Sequence, residues 1–408
     1  MPDHGGSFRS ELHLASLENQ PNPRPFYHEL LEHYPVCQLE PDGVWAISRY
    51  EDACFAERRY DLFSASGYLA MFHPPWLELD YLRDHFLTTV DPPLHKQRRT
   101  LINPAFCGHA VRDMQPWIEQ TVRTLVEAIE PRRDIEFVSA IASPFAASIS
   151  RGILGIEEDE IPPTLKDWLP LVEEANPFAK VDPPREYVAK VHSAIDLQNE
   201  HFAGIIERRR STPDPGLIST LVHAEIDGRQ LDRHVLLNAI EQMMVAGTHP
   251  PVPMLSQCIR VLSRRPDLLA RLIDDKGLIP AFIEEVLRYE SIGPAQLRRT
   301  VDDVTVSGVT IPQGELVLVF MGAANHDPRE FSDPDVFDLS RPNLKRHLGF
   351  GTGAHVCIGA ALARLQAKAM LEAILLRFTR ISCPDDDDLE WDTSWLMRSI
   401  CALPVVFE

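Results

Sequence analysis

The segment Phe350-Gly351-Thr352-Gly353-Ala354-His355-Val356-Cys357-Ile358-Gly359 constrains this chain more than any other. One cysteine sits in a loop punctuated by three glycines, two residues after a histidine, and an alanine-rich amphipathic stretch runs from Ala360 to Phe378. The glycines allow a tight turn and bring backbone N–H groups close to the sulfur. A helix starting just beyond Cys357 adds its positive end, so both features predict a bias toward thiolate. A thiolate held this way in a dry site suits the axial position of a haem iron, where it donates electron density that promotes O–O cleavage. Taken alone, the residues leave a second reading open: an inert buried cysteine beside a helix cap.

Further segments narrow the choice. Glu285-Val286-Leu287-Arg288 places an acid and a base three apart on a helix, about seventy residues before the cysteine. Between the two lie Asn325-His326-Asp327-Pro328, Phe331-Ser332-Asp333-Pro334 and Phe337-Asp338, ending at Arg341. With the cysteine loop, this arrangement resembles the cytochrome P450 family over nearly the whole chain. The resemblance implies an α+β fold, mainly α-helical with a smaller β-sheet region, as one domain over residues 1–408. It implies haem b held by Cys357, with Phe350 and Gly351 also contacting the cofactor. It implies a buried structural network of Glu285, Arg288 and Arg341. It also maps His95, Arg99, Arg298 and His355 to positions that hold the haem propionates, Arg299 being the neighbour most easily confused with Arg298. His95 and Arg99 lie four apart, on one face of a helix predicted after Asp91-Pro92-Pro93.

Composition excludes several other classes. A chain of 408 residues with 44% hydrophobic content buries a large core. Its net charge of −20 argues against nucleic acid and anionic membrane surfaces. The N-terminus, Met1-Pro2-Asp3-His4-Gly5-Gly6-Ser7, lacks the basic flank and apolar core of a signal peptide, and no apolar run is long enough to span a bilayer. The expectation is a soluble, cytoplasmic protein. The seven cysteines (Cys37, Cys54, Cys107, Cys258, Cys357, Cys383, Cys401) are scattered without a C-x-x-C pair. This argues against a disulfide framework and against zinc, since no second pair accompanies His355 and Cys357.

Along the chain, Val44-Trp45-Ala46-Ile47 reads as a strand, and Val304 to Val319 as a hairpin turning at Pro312-Gln313-Gly314. Residues 61–90 read as an aromatic loop over a pocket or as an ordinary packed surface loop. Residues 162–186 hold many prolines and read as mobile helices and loops. Asp385-Asp386-Asp387-Asp388 reads as a solvated acidic loop. Leu231 to Leu262 is a long helical pattern interrupted at Pro250, Pro251 and Pro253.

That interruption is where the chain departs from the family. The usual distal segment, Ala/Gly-Gly-x-Asp/Glu-Thr, reads Ala246-Gly247-Thr248-His249-Pro250-Pro251 here. His249 takes the acid position and Pro250 the alcohol position, so the ordinary proton relay is missing. Thr248 is displaced by two residues, about 200° of helix rotation, and is expected to point elsewhere. The prolines have no N–H, so the carbonyls of Ala246, Gly247 and His249 lose their i+4 donors, and the helix is expected to kink and open a groove suited to water. His249 with such waters is expected to carry protons or to position an acidic group of the substrate; a purely structural hydrogen bond is the alternative.

Loss of the alcohol leaves several reactions open: oxygen insertion into C–H bonds, peroxide use with a substrate carboxylate, or oxidative coupling of an electron-rich aromatic substrate. The His-Pro segment resembles the indolocarbazole-pathway members of the family, which join the indole rings of chromopyrrolic acid. A haem sensor without turnover is the rival from another class. Phe72, Trp76, Phe86, Met243, Ala246, Pro294, Ala295, Gln296 and Trp395 are expected around a flat aromatic substrate. His73, Arg83, His85, Gln296 and Arg299 are expected near its carboxylates. Electrons are expected from a ferredoxin and a ferredoxin reductase, with Arg98, Lys345, Arg346, Arg364 and Lys368 forming either the docking surface or plain surface charge.

Overall fold

A computed structural model describes residues 21–39, 43–72, 86–160, 184–384, 386–393 and 395–408. The elements that build the site are, in chain order, helices α1 (Arg24–His33), α2 (Tyr50–Arg58), α3 (Leu94–Phe106), α4 (Gly108–Glu127), α5 (Ser143–Leu154), α6 (Arg185–Ser211), α7 (Arg233–Thr248), α8 (Pro251–Arg264), α9 (Ile279–Glu290) and α10 (Ala360–Arg377). The strands are β1 (Val36–Leu39), β2 (Val44–Ile47), β3 (Phe63–Ser64), β4 (Gln296–Thr300), β5 (Val304–Val306), β6 (Val309–Ile311) and β7 (Leu316–Val319). The mainly helical architecture with a smaller sheet region is the one expected.

One sheet runs in the order β1-β2-β7-β4-β3. Its centre, β7, pairs parallel with β2 (Leu318 opposite Ala46) and antiparallel with β4 (Leu318 opposite Leu297). Alternation along β7 separates two cores: Leu318 packs with Leu297, Ala46 and Phe26, whereas Val317 and Val319 pack with Ile47, Phe63 and Ala53. The expected hairpin is shifted. β5 and β6 pair with each other across Ser307-Gly308, both at positive φ, and the Pro312-Gln313-Gly314 turn leads on to β7 in the larger sheet. Two turn signals lay close together, and the two-residue Ser307-Gly308 turn closed the hairpin.

The main helical core joins α4 to α10. Val111, Ile118, Val122 and Val126 recur at helical spacing on α4 and meet Ala367, Met370, Leu371 and Ile374 of α10. Burying each large side chain contributes roughly 1.5–3 kcal/mol. Glu285 of α9 ties this core to the segment ahead of the cysteine loop. Its carboxylate accepts from Arg288 Nε (2.7 Å) and Nη2 (2.8 Å), from Arg341 Nε (3.0 Å) and from the Asp338 N–H (2.9 Å). Arg288 also donates to the Asn325 carbonyl (2.9 Å), and Asn325 Oδ1 accepts from the Leu348 N–H (2.7 Å). A continuous chain of bonds thus runs from α9 to the start of the cysteine loop.

The proline run splits the long helical pattern as expected. α7 ends at Thr248, His249 and Pro250 form the link, and α8 begins at Pro251. Pro251 and Pro253 fall in the first turn of α8, where a missing N–H leaves no helical bond unmade. The Val252 N–H takes the His249 carbonyl at 3.2 Å, so one of the three carbonyls at issue regains a donor. Thr248 Oγ1 bonds back to the Met244 carbonyl at 2.8 Å and is spent on its own helix. The acidic loop also differs from expectation: Asp386 is largely buried against Arg260 (2.8 Å) and Arg264. Among the described residues, no helix is long and apolar enough to cross a membrane.

Candidate active site

A cavity of about 350 Å³ lies between the cysteine loop and the α7–α8 kink. Cys357, Phe350, Gly351 and His355 line one side; Met243, Ala246, Gly247, Pro250 and Pro251 line another. Small residues at 246 and 247 follow from packing as well as function. A Cβ on Gly247 would stand 2.6 Å from Ser150 Oγ, so glycine is what lets α7 lie against α5. Ser150 and its neighbour Ile149 also reach the cavity, and neither was anticipated.

The cysteine loop is shaped by two left-handed residues, Gly351 (φ +67°) and Gly353 (φ +75°). The Cys357 N–H donates to the Phe350 carbonyl at 2.9 Å, closing the loop, and α10 starts three residues later at Ala360. The accessible surface of Cys357 opens on the cavity. Burial pushes its thiol above the ordinary value, while the Gly359 N–H, Arg99 and Arg364 pull it down less strongly. Without a metal at the sulfur, burial thus favours the thiol, against the opposing pull of the Gly359 N–H and the two arginines. A metal ion at the sulfur removes the proton outright, so the arrangement suits a metal-bound cysteine.

The residues expected around the propionates converge from three elements. His95 is buried on α3, and its ring lies 4.1 Å, centroid to centroid, from that of His355. Burial, with His355 and Arg99 nearby, lowers His95 to about 4, so it is neutral at physiological pH. Arg99, one turn on, donates to the Ala354 carbonyl at 3.3 Å and reaches the cysteine loop. Arg298 and Arg299 part company on β4: Arg298 is 2% exposed, whereas Arg299 points outward to the Gly314 carbonyl at 2.6 Å. Arg298 also has a partner that sequence reasoning missed. Its Nη2 lies 2.6 Å from Glu57 Oε2, an ion pair almost wholly out of water.

Glu57 opens on the cavity too, and its other oxygen has no hydrogen-bond partner among the described residues; nor has His355 Nε2, which stands 3.7 Å from Asp91. In sequence Glu57 heads a polar run, Glu57-Arg58-Arg59, that reads as solvated. Helical spacing held the signal, because Ala53, Ala56 and Glu57 share the buried face of α2. One thiol and two orphaned polar atoms facing one apolar cavity fit a group that carries both a metal and peripheral carboxylates. Among the described residues, no cluster of three His, Cys, Asp or Glu side chains is placed to hold a bare metal ion.

Other expected residues fall in different places. Gln296 lines the cavity, its Oε1 accepting from the Tyr68 hydroxyl at 2.7 Å. Ala295 and Trp395 belong to the core under the larger sheet, with the Ala295 N–H on the Trp395 carbonyl at 3.1 Å. Phe86 is buried among aliphatic residues of α3, α6 and α7. These three hydrophobic positions are not among the residues lining this cavity. Pro294 is spent as an acceptor for the Gly322 N–H at 2.9 Å. The Phe72 side chain, His73, Trp76, Arg83 and His85 lie outside the described residues, as does most of 162–186. His249 is half-buried at the kink and is not among the lining residues; burial lowers it to about 4, so it too is neutral near pH 7. Arg98 is 4% exposed beneath Phe86, which removes it from any surface patch.

Residues 56–402 match the family model described as Cytochrome P450. Cytochrome P450 107B1 of Saccharopolyspora erythraea is 36% identical over 327 residues, covering 79% of this chain and 77% of the relative. Cyclomarin C epoxidase CymV of Salinispora arenicola is 32% identical over 371 residues, covering 90% and 91%. The solved structure of CxnD, the cytochrome P450 enzyme for C–S bond formation in chuangxinmycin biosynthesis, matches with a TM-score of 0.87 at 26% identity over 98% of both chains. The chain belongs to the cytochrome P450 family, oxidoreductases that bind haem b through a cysteine thiolate.

Proposed function

We propose that this protein is a haem-thiolate oxidase of bacterial secondary metabolism, with Cys357 as axial ligand and a bulky aromatic substrate. One observation carries the reading: Cys357 opens on the same apolar cavity as Ala246 and Gly247. When bound, the haem supplies one-electron and oxygen chemistry. The chain's own residues seat it and manage protons. Arg99, Arg298, His95 and His355 hold the propionates, Phe350 and Gly351 flank the sulfur, and the Glu285–Arg288–Arg341 network keeps the loop in register. Gln296, fixed by Tyr68, offers its amide N–H groups to the substrate.

The finer reading is oxidative C–C coupling of two indole rings in a bisindole such as chromopyrrolic acid. Pro250 removes the alcohol that usually delivers protons, and coupling requires protons to leave the substrate. His249, kept neutral at pH 7 because burial disfavours its charged form, would pass a proton by donating from one ring nitrogen as the other accepts, rather than by holding it. Oxygen insertion is the second reading, favoured by the relative named as an epoxidase. We also propose a cytoplasmic setting with a ferredoxin and ferredoxin reductase as donors, docking over Lys345, Arg346, Arg364 and Lys368.

The test begins with the reduced carbon monoxide complex. Its red-shifted Soret band is expected in the wild type and absent from Cys357→Ala; a nitrogen-ligated spectrum in the wild type refutes the reading. A screen of bisindole carboxylates, fatty acids and macrolides for spin-state change then separates the reactions. Coupling requires tight binding by the bisindoles, and a preference for fatty acids favours peroxide use.

A further inference from the structure

Glu57 and Arg298 form a 2.6 Å ion pair, with side chains 1% and 2% exposed. One carboxylate oxygen is thereby used. The other, Oε1, is buried without a hydrogen-bond partner among the described residues, and Glu57 lines the cavity that Cys357 faces. A buried oxygen in that position is costly unless something in the cavity donates to it or it carries a proton itself. A haem seated there would bring its own carboxylates to Arg298, so two acids would share one guanidinium. In a site sheltered from water, two such carboxylates do not both stay ionised.

We propose that Glu57 is a positioning residue of the haem seat: Oε2 holds Arg298 in place, and a protonated Oε1 donates a hydrogen bond to a propionate. This rests on the assignment of Cys357 as haem ligand. The groups facing Glu57 are Arg298 on β4, Tyr68 in the turn after β3 and His355 on the cysteine loop, with Asp91 and His95 behind His355. Burial raises Glu57 above the ordinary carboxylate range, against the opposing effects of Arg298 and His355. Its ionisation is therefore shifted to higher pH than that of an exposed carboxylate. A purely structural ion pair would account for Oε2 and leave Oε1 without a role.

The sign of the pH effect follows. At low pH the neutral acid donates to the propionate; as pH rises Glu57 ionises, repels it, and haem leaves faster. The experiment is haem transfer from the holoenzyme to excess apomyoglobin, followed by Soret absorbance from about pH 6 to about pH 9. Wild-type release is expected to accelerate about tenfold across that range, equivalent to about one unit of difference in the Glu57 pKa between the haem-bound and haem-free protein. Glu57→Gln keeps the shape and cannot ionise, so its rate is expected to stay within about twofold of the slow wild-type rate at every pH. Glu57→Ala frees Arg298 and is expected to release haem faster than Glu57→Gln throughout. A Gln variant with the wild-type slope, a flat wild-type profile, or an Ala variant as slow as Gln overturns the proposal. A wild type that carries no haem overturns the Cys357 assignment and this inference with it, so the two failures are distinguishable.

Discussion

Gly351 and Gly353 offer a direct measure of what the cysteine loop owes to its backbone. Both sit at positive φ, so an alanine at either pays the left-handed cost of roughly 1–2 kcal/mol. Their surroundings differ. A Cβ at 351 meets open space, whereas one at 353 lies 2.5 Å from the Glu57 carbonyl oxygen and 3.1 Å from Arg58 Cα. Ordinary contact needs nearly 1 Å more, and the obstacle is helix backbone that Glu57 ties to Arg298, so the loop must yield. Overpacking of this kind adds roughly 1–3 kcal/mol. In the haem-free protein Gly351→Ala should therefore lose about 1–2 kcal/mol of unfolding free energy. Gly353→Ala should lose about 2–5 kcal/mol and displace the segment leading to Cys357. Gly353→Asn separates the two causes: asparagine tolerates left-handed backbone but carries the same Cβ, so it should not rescue. Urea unfolding gives the free energies, and the carbon monoxide spectrum of the reduced protein reports thiolate ligation. Equal losses for the two alanine variants, or full rescue by asparagine, would refute the steric argument.

Glu285→Gln leaves Arg288 and Arg341 facing an uncharged amide in a buried site, and is expected to cost roughly 3–5 kcal/mol in urea unfolding. A loss below about 1 kcal/mol would mean the backbone carbonyls of Asn325, Ser332 and Asp333 satisfy both guanidiniums alone. Glu284 predicts an acid-sensitive step. Burial raises its carboxyl, yet Arg364 and His347 together bring it from 4.5 down to about 2. Its stabilisation is therefore complete above about pH 4.5 and lost as pH falls toward about 2, a contribution of roughly 2 kcal/mol after allowing for solvent screening at the half-exposed Arg364. Glu284→Gln should flatten the unfolding free energy against pH in that window, and an unchanged slope would dismiss the pair. His249→Phe is expected to lower turnover by roughly tenfold or more with haem content unchanged, and turnover equal to wild type would remove His249 from the mechanism.

The parts of this fold that were legible in the sequence are those specified locally. The strand at Val44–Ile47, the helix after Asp91-Pro92-Pro93 and the break at Pro250 each depend on residues within one turn of themselves. Glu285, Arg288 and Arg341 could be assembled because a family pattern supplied the long-range link, and the hydrogen bonds are as that pattern implies. The pocket was less legible for a physical reason. Ala295 and Gln296 are adjacent where the chain enters β4, and one joins the core while the other lines the cavity; nothing local says which residue faces which side. Trp395 was claimed by the same core, since a large apolar side chain is stabilised equally by a pocket or by packing. Glu57 was hidden by its charged neighbours, although its spacing from Ala53 placed it on the buried face.

The state of the cysteine shows how local and global effects compete in one side chain. Read along the chain, the glycine loop and the following helix both favour a thiolate. Read in three dimensions, the same loop is folded against α2 and α10, and the shelter it creates raises the thiol instead. The cationic help that does reach the sulfur comes from Arg99 on α3 and Arg364 on α10, and Arg364 is already engaged by Glu284 and lies 4.5 Å above the Phe350 ring. A sulfur that ionised readily on its own would bind soft cations and oxidise in the apoprotein. A sulfur whose thiol form is favoured in the metal-free protein would suit a ligand that brings its own positive charge. The protein's contribution at Cys357 is thus placement at the cavity wall, with Arg99 and Arg364 as the nearby cations that favour its thiolate.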